Sequence, residues 1–220
     1  MIDIGLDISL NSTAIYIRNG SDHIILSYMN EKKDSKYSDE LSQTKDVHIH
    51  FTDDLIKTNN YSDDEISKLK RYDEISTLIV NDIKEIVKDN KCNIRIEGYS
   101  YTKRTSSIID IVGFSTLIRV KLIRNLNCDI TIISPASLKK KCSIMVYGYE
   151  DEKKKISRNR EGIAGGSFKK QQIYQAILDG NIQTPILQFL KDNEKVIQYK
   201  KIPSPIDDIN DSIILTFIDL

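Results

Sequence analysis

Apolar and polar residues alternate at the start of the chain: Ile2, Ile4, Leu6 and Ile8 are separated by Asp3, Gly5 and Asp7. A period of two puts the first set on one face of a β-strand and the second set on the other. Leu10-Asn11-Ser12-Thr13 then supplies a turn. Ala14 to Ile17 and His23 to Tyr28 read as the next two strands, joined through the hairpin turn Asn19-Gly20-Ser21. Residues 30–65 are polar and rich in Lys, Asp, Ser and Thr, which predicts a surface excursion. The period then lengthens to that of a helix, with Leu69, Tyr72, Ile75, Ile79, Ile83, Ile86 and Val87 gathering on one side. In the next strand, Asn93 to Glu97, Ile94 and Ile96 share one face and Arg95 and Glu97 the other.

Thr105 to Asn125 reads as a long helix. Ile130 to Ile133, apolar but for Thr131, reads as a strand of the kind found inside a sheet with both faces covered. Pro135 suits the first turn of a short helix. Residues 146–166 read as a charged, glycine-containing loop, 167–178 as a helix, and 206–219 as a closing helix whose apolar positions pack inward. Strands first, then strands alternating with helices, predict an α/β protein with a mixed sheet flanked by helices on both faces. With 220 residues and no internal repeat, we expect one domain over 1–220, with polar insertions near 30–65 and 146–162.

The chain begins directly on its first strand, without a basic leader and apolar run, and no stretch approaches the length needed to cross a bilayer. A soluble, cytoplasmic protein with no membrane partner is expected. Cys92, Cys128 and Cys142 are far apart and form no Cys-x-x-Cys pair, so they read as reduced thiols rather than a disulfide framework or zinc site. His48 and His50 share a strand face without a third ligand nearby and read as surface or packing residues.

Net charge is zero, but its distribution is uneven. Residues 1–97 carry a balance of −6, residues 98–172 of +9, and residues 173–220 of −3. The basic middle either forms an electropositive face for a phosphate backbone or is a solvated, lysine-rich loop.

Carboxylates fall where a metal site can assemble. Asp7 ends the first strand and Glu97 ends a later one, each on the face opposite its apolar neighbours; Asp208 and Asp211 are three apart at the start of the last helix and share one helical face. Taken singly, each is explained as well by a solvated face, a turn or a helix-dipole partner. Together, on two strand ends and a closing helix, they suit a hard cation such as magnesium, which takes a few carboxylates plus water and substrate oxygens. Two such ions about 4 Å apart serve phosphodiester hydrolysis.

Gly5-Leu6-Asp7-Ile8-Ser9, Ile96-Glu97-Gly98-Tyr99 and Asp208-Ile209-Asn210-Asp211-Ser212 resemble, in order, the three acidic motifs of the RuvC-like Holliday-junction resolvases. Ser134-Pro135-Ala136-Ser137-Leu138-Lys139-Lys140 resembles the Pro- and Lys-containing segment after the next strand of that family. Gly165-Gly166-Ser167-Phe168-Lys169-Lys170 resembles its Gly-rich, Lys-containing segment. The long polar stretches 30–65 and 146–162 lie outside these motifs and are similar to those of some virus- and phage-encoded members; a viral protein would act in the host cell's DNA replication compartment.

The resemblance implies a ribonuclease-H-like mixed sheet flanked by helices, a homodimer, and paired symmetric nicks across a four-way DNA junction. It implies Asp7, Glu97, Asp208 and Asp211 as catalytic metal ligands for Mg2+, with Mn2+ as a substitute. Lys139, Lys140, Lys169, Lys170 and Tyr101 become candidates for DNA contact.

The helix from Thr105 to Asn125 would contribute to the dimer interface, with Gly113 either permitting close approach of the partner or packing against its own sheet. Two departures stand out. Ser100, between Tyr99 and Tyr101, occupies the position where some members carry an aromatic residue, and Asp207 beside Asp208 leaves open which of the two binds metal. The rival readings are a ribonuclease-H-fold nuclease acting on an RNA–DNA hybrid or a flap, and a non-catalytic junction-binding protein. An actin-like or sugar-kinase ATPase needs a second related domain and another phosphate loop, and neither is found in this sequence.

Overall fold

A computed structural model describes residues 1–31, 36–54, 58–99, 105–139, 142, 170–180, 182–198 and 201–217. Its strands are β1 (Ile2–Asp7), β2 (Ser12–Asn19), β3 (Asp22–Asn30), β4 (Val47–Thr52), β5 (Cys92–Glu97) and β6 (Cys128–Ile133). They form one sheet in the order β4-β3-β2-β1-β5-β6. The pairs β1–β2 and β2–β3 are antiparallel, whereas β3–β4, β1–β5 and β5–β6 are parallel. The tight turn between β2 and β3 uses Gly20 at φ +61°, a left-handed conformation that glycine adopts without steric cost.

The helices are α1 (Lys36–Ser42), α2 (Tyr61–Val87), α3 (Thr105–Asn125), α4 (Lys170–Asp179), α5 (Leu187–Asp192) and α6 (Ile206–Thr216), with a helical turn at 135–139. None of the described helices is long and apolar enough to cross a membrane. Asn60 starts α2, its side chain accepting from the Ser62 and Asp63 amides at 3.0 and 3.3 Å.

Each face of the sheet has its own core. Ile2, Ile4 and Leu6 of β1 and Ile94 and Ile96 of β5 pack with Ile79 and Ile83 of α2 and with Phe114, Ile118 and Leu122 of α3. On the other face, Ala14, Tyr16 and Ile25 pack with Ile206, Ile209 and Ile213 of α6 and with Ile173, Tyr174 and Ile177 of α4. Every residue of α6 except Asp208 is buried, so this helix is an interior element rather than an amphipathic cover.

Several expectations need correction. Residues 30–65 do not form only a surface excursion: they supply α1 and the edge strand β4, whose Val47 and Ile49 alternate with His48 and His50. The apolar β6 is not inside the sheet but at its other edge, and Ile132 is exposed there. Helix α2 begins earlier than its apolar pattern, and Leu69 faces solvent. Gly113 does not pack against its own sheet, because a Cβ there would meet nothing within 4 Å among the described residues. The insertion near 146–162 and the candidates Lys140, Lys169 and Tyr101 lie outside the described residues.

Candidate metal centre

Register places the first two acids side by side. Leu6 lies opposite Ile96 in the parallel β1–β5 pair, so Asp7 and Glu97 follow as neighbours at the carboxyl ends of the two central strands. Because Leu6 and Ile96 point into the α2–α3 core, the next residues point to the opposite face, where α6 lies.

Helix α6 packs directly on β1 at this point. A Cβ on Gly5 would fall 1.9 Å from the Ser212 carbonyl oxygen, so only glycine lets the helix sit this close. The close approach brings in Asp211, and one carboxylate oxygen each from Asp7, Glu97 and Asp211 lies within 4.8 Å of the others. Asp7 and Asp211 are buried and Glu97 is half-buried.

The electrostatics of this cluster are unfavourable without a cation. Burial, reinforced by the charges of Glu97 and Asp208, pushes the Asp7 carboxyl well above the usual range; Lys170 acts in the opposite direction. Asp211 is 1% exposed, and its Oδ1 has no hydrogen-bond partner among the described residues. The other oxygen, Oδ2, accepts from the Lys170 ammonium at the start of α4. The preceding side chain, Asn210, is also buried, with neither amide atom paired among the described residues. An unpaired carboxylate oxygen in an interior site costs free energy unless a cation or proton meets it. Three converging carboxylates, one carrying an orphaned buried oxygen, therefore fit a divalent metal of the hard, oxygen-seeking type.

Asp208 is not one of the three converging acids, though its charge reaches Asp7. It is half-buried, and burial together with the adjacent Asp207 pushes its carboxyl up to about 7. The Ser12 hydroxyl, Lys170 and the Ser204 hydroxyl oppose that rise. Ser204 Oγ lies 3.2 Å from Asp208 Oδ2 and 3.4 Å from Asp207 Oδ1.

Of the candidate lysines, Lys170 is at the acids, while Lys139 is half-buried on the helical turn after β6. Sequence reasoning did not single out Ser12 or Ser204. Both are ordinary serines in the sequence, and only the folding of their segments onto α6 brings them to Asp208.

No protein-family model and no curated protein matches this sequence. Among solved structures, the chain is similar to the yeast mitochondrial Holliday junction resolvase Ydc2, with a TM-score of 0.51 and 11% identity over 97% of this chain and 75% of that one. It is also similar to Thermus thermophilus RuvC in complex with a Holliday junction substrate, with a TM-score of 0.48 and 7% identity over 98% of this chain and 90% of that one. Thermus thermophilus RuvC in a second structure gives 0.46 and 9% over 98% and 91%. The mixed sheet flanked by helices is thus a ribonuclease-H-like fold. More narrowly, it is the fold shared with that yeast mitochondrial structure.

Proposed function

We propose that this protein is a metal-dependent endonuclease that resolves four-way DNA junctions by paired symmetric nicks. The observation that carries this reading is the buried convergence of Asp7, Glu97 and Asp211, with Asp211 Oδ1 unpaired, on a fold shared with a protein described as a Holliday junction resolvase.

Asp7, Glu97, Asp208 and Asp211 hold the ions. Magnesium, with manganese as a substitute, supplies neutralisation of phosphodiester charge and a water acidic enough to attack at neutral pH. The chain's own part is positioning. The two strand ends fix Asp7 and Glu97, and α6 brings Asp211 against them. The Lys170 ammonium, paired with Asp211, offsets negative charge at the acids. Lys139, Lys140 and Lys169 grip the DNA backbone, a contribution that weakens with salt, and Tyr101 meets bases.

Paired nicks require two active sites related by a two-fold axis, hence a homodimer. The outward face of α3 suits a second copy of the chain. Ile109, Gly113, Thr116, Val120 and Ile123 recur at alternating spacings of four and three, and all are exposed. That is the spacing of a helix–helix seam. A glycine in mid-helix costs about 0.5–1 kcal/mol relative to alanine, and no contact among the described residues requires one at 113.

The test is to incubate the purified protein with labelled four-way junction and matched linear duplex, with and without magnesium, alongside Glu97→Gln. Symmetric, metal-dependent nicking of the junction that disappears in the variant is the expected result. Junction binding without cleavage would point to a non-catalytic binder. Cleavage confined to an RNA–DNA hybrid or a flap would keep the metal site and change the substrate.

A further inference from the structure

The three elements that deliver the converging acids are also tied together at the opposite end of the sheet. Asp3 lies four residues before Asp7 on the same face of β1, Arg95 lies two before Glu97 on the same face of β5, and Thr216 lies five after Asp211 on α6. Arg18 of β2, opposite Asp3 in register, donates from Nη2 to Asp3 Oδ2 at 3.0 Å and to the Thr216 carbonyl at 3.2 Å. Arg95 donates from Nη1 to Asp3 Oδ1 at 3.1 Å and to the same carbonyl at 3.4 Å. The Arg18 guanidinium also stacks 4.4 Å from the centroid of the Phe217 ring.

One carboxylate is therefore gripped by two arginines, and both arginines reach the last carbonyl of α6, that of Thr216. Cations at a helix C-terminus complement its partial negative charge. Burial raises the Asp3 carboxyl, but the hydrogen bonds and charges of the two guanidiniums outweigh it and hold the group below its usual range. Between the clamp and the acids, Gly5 lets α6 lie flush on β1. Thr216 and Asp211 are separated by only about 7.5 Å along the helix axis, at 1.5 Å per residue. Rotation or sliding at the clamped end thus moves the Asp211 carboxylate directly.

We propose that Asp3, Arg18 and Arg95 are positioning residues: their clamp sets the height and rotation of α6 on β1 and β5, and with it the place of Asp211 relative to Asp7 and Glu97. The consequence for metal binding rests on the metal-site reading above; the mechanical coupling does not.

Mn2+ affinity, measured by titration calorimetry, and amide hydrogen exchange of the metal-free protein test the clamp in Arg95→Met, Arg95→Lys, Asp211→Asn and the Arg95→Met/Asp211→Asn double variant. Arg95→Met is expected to weaken Mn2+ binding about tenfold, the low end for groups that support metal ligands, and Arg95→Lys to recover most of that loss. In the Asp211→Asn background, Arg95→Met should add little, because the route through Asp211 is already gone. In the metal-free protein, exchange should rise across α6 and stay unchanged in α2.

Losses that simply add in the double variant, or exchange that rises equally in α2 and α6, would make Arg95 a general stabiliser and overturn the proposal. If the unsubstituted protein binds no Mn2+, the metal-site reading falls and the exchange result alone decides the clamp. A rise confined to α6 would then support it, and no rise would overturn it.

Discussion

The two faces of β1 bury nearly the same depth of chain in opposite ways. Ile2, Ile4 and Leu6 pack into an apolar core, and that face contributes by excluding water and packing closely. Asp3, Gly5 and Asp7 lie under α6, and each meets the helix through different chemistry. Asp3 is neutralised by Arg18 and Arg95, Gly5 gives its missing side chain to the Ser212 carbonyl, and Asp7 stays among carboxylates that raise its affinity for a proton. The apolar face stabilises the fold, and the polar face ends on Asp7, whose charge among the other acids a bound cation would compensate. A strand buried on both faces can thus divide stability and chemistry between them.

The largest effect is expected at the closest contact. Gly5→Ala drives a methyl group into backbone that cannot rotate away, so α6 must move; a loss of about 3 kcal/mol and of metal binding together is expected. Denaturant unfolding and Mn2+ titration on the same sample check it, and an unchanged midpoint would mean that α6 does not sit flush on β1.

Next comes a matched pair across the strand. Ile4→Ala opens a cavity in the apolar core and should cost about 3 kcal/mol, lowering Tm on the order of 10 °C while leaving metal affinity near its parent value. Asp7→Asn should do the reverse, with metal binding and cleavage lost while metal-free Tm at neutral pH rises, because an acid buried beside Glu97 and Asp208 gives way to a neutral amide. Equal loss of stability in both variants would erase the distinction between the faces.

The smallest expected effect is on pH dependence. The folded-state carboxyls of Asp7 and Asp208 are raised, the latter from its ordinary 3.8 to about 7. Between those values the native protein holds more protons than the unfolded chain, so metal-free stability should fall as pH rises from about 4 to about 7. Saturating magnesium, which needs the deprotonated forms, should flatten or reverse that slope. Urea midpoints across this range, with and without the ion, measure it.

Much of this could be read locally. The alternation around Asp7 and Glu97 identified both strand ends and the face each acid uses, because side-chain direction in a strand depends only on position parity. The spacing of Asp208 and Asp211 placed both on the closing helix, but only the packing of that helix shows that Asp211 converges with the strand acids while Asp208 stands beside them. The edge position of β6 was hidden because an apolar strand reads the same in the middle of a sheet as at its rim. Strand β4 was obscured by its flanking polar residues.

By itself the sequence determined periodicity, the order of strands and helices, and the identities of the acids, since these follow from residue type and neighbour spacing. Tertiary structure alone decided which carboxylates meet, that Lys170 pairs with Asp211, and that Asp3, Arg18 and Arg95 grip the end of α6. Those outcomes depend on strand register and on a helix returning to β1 some two hundred residues later. Contacts of that range are set by the packing of whole elements, which no local pattern encodes.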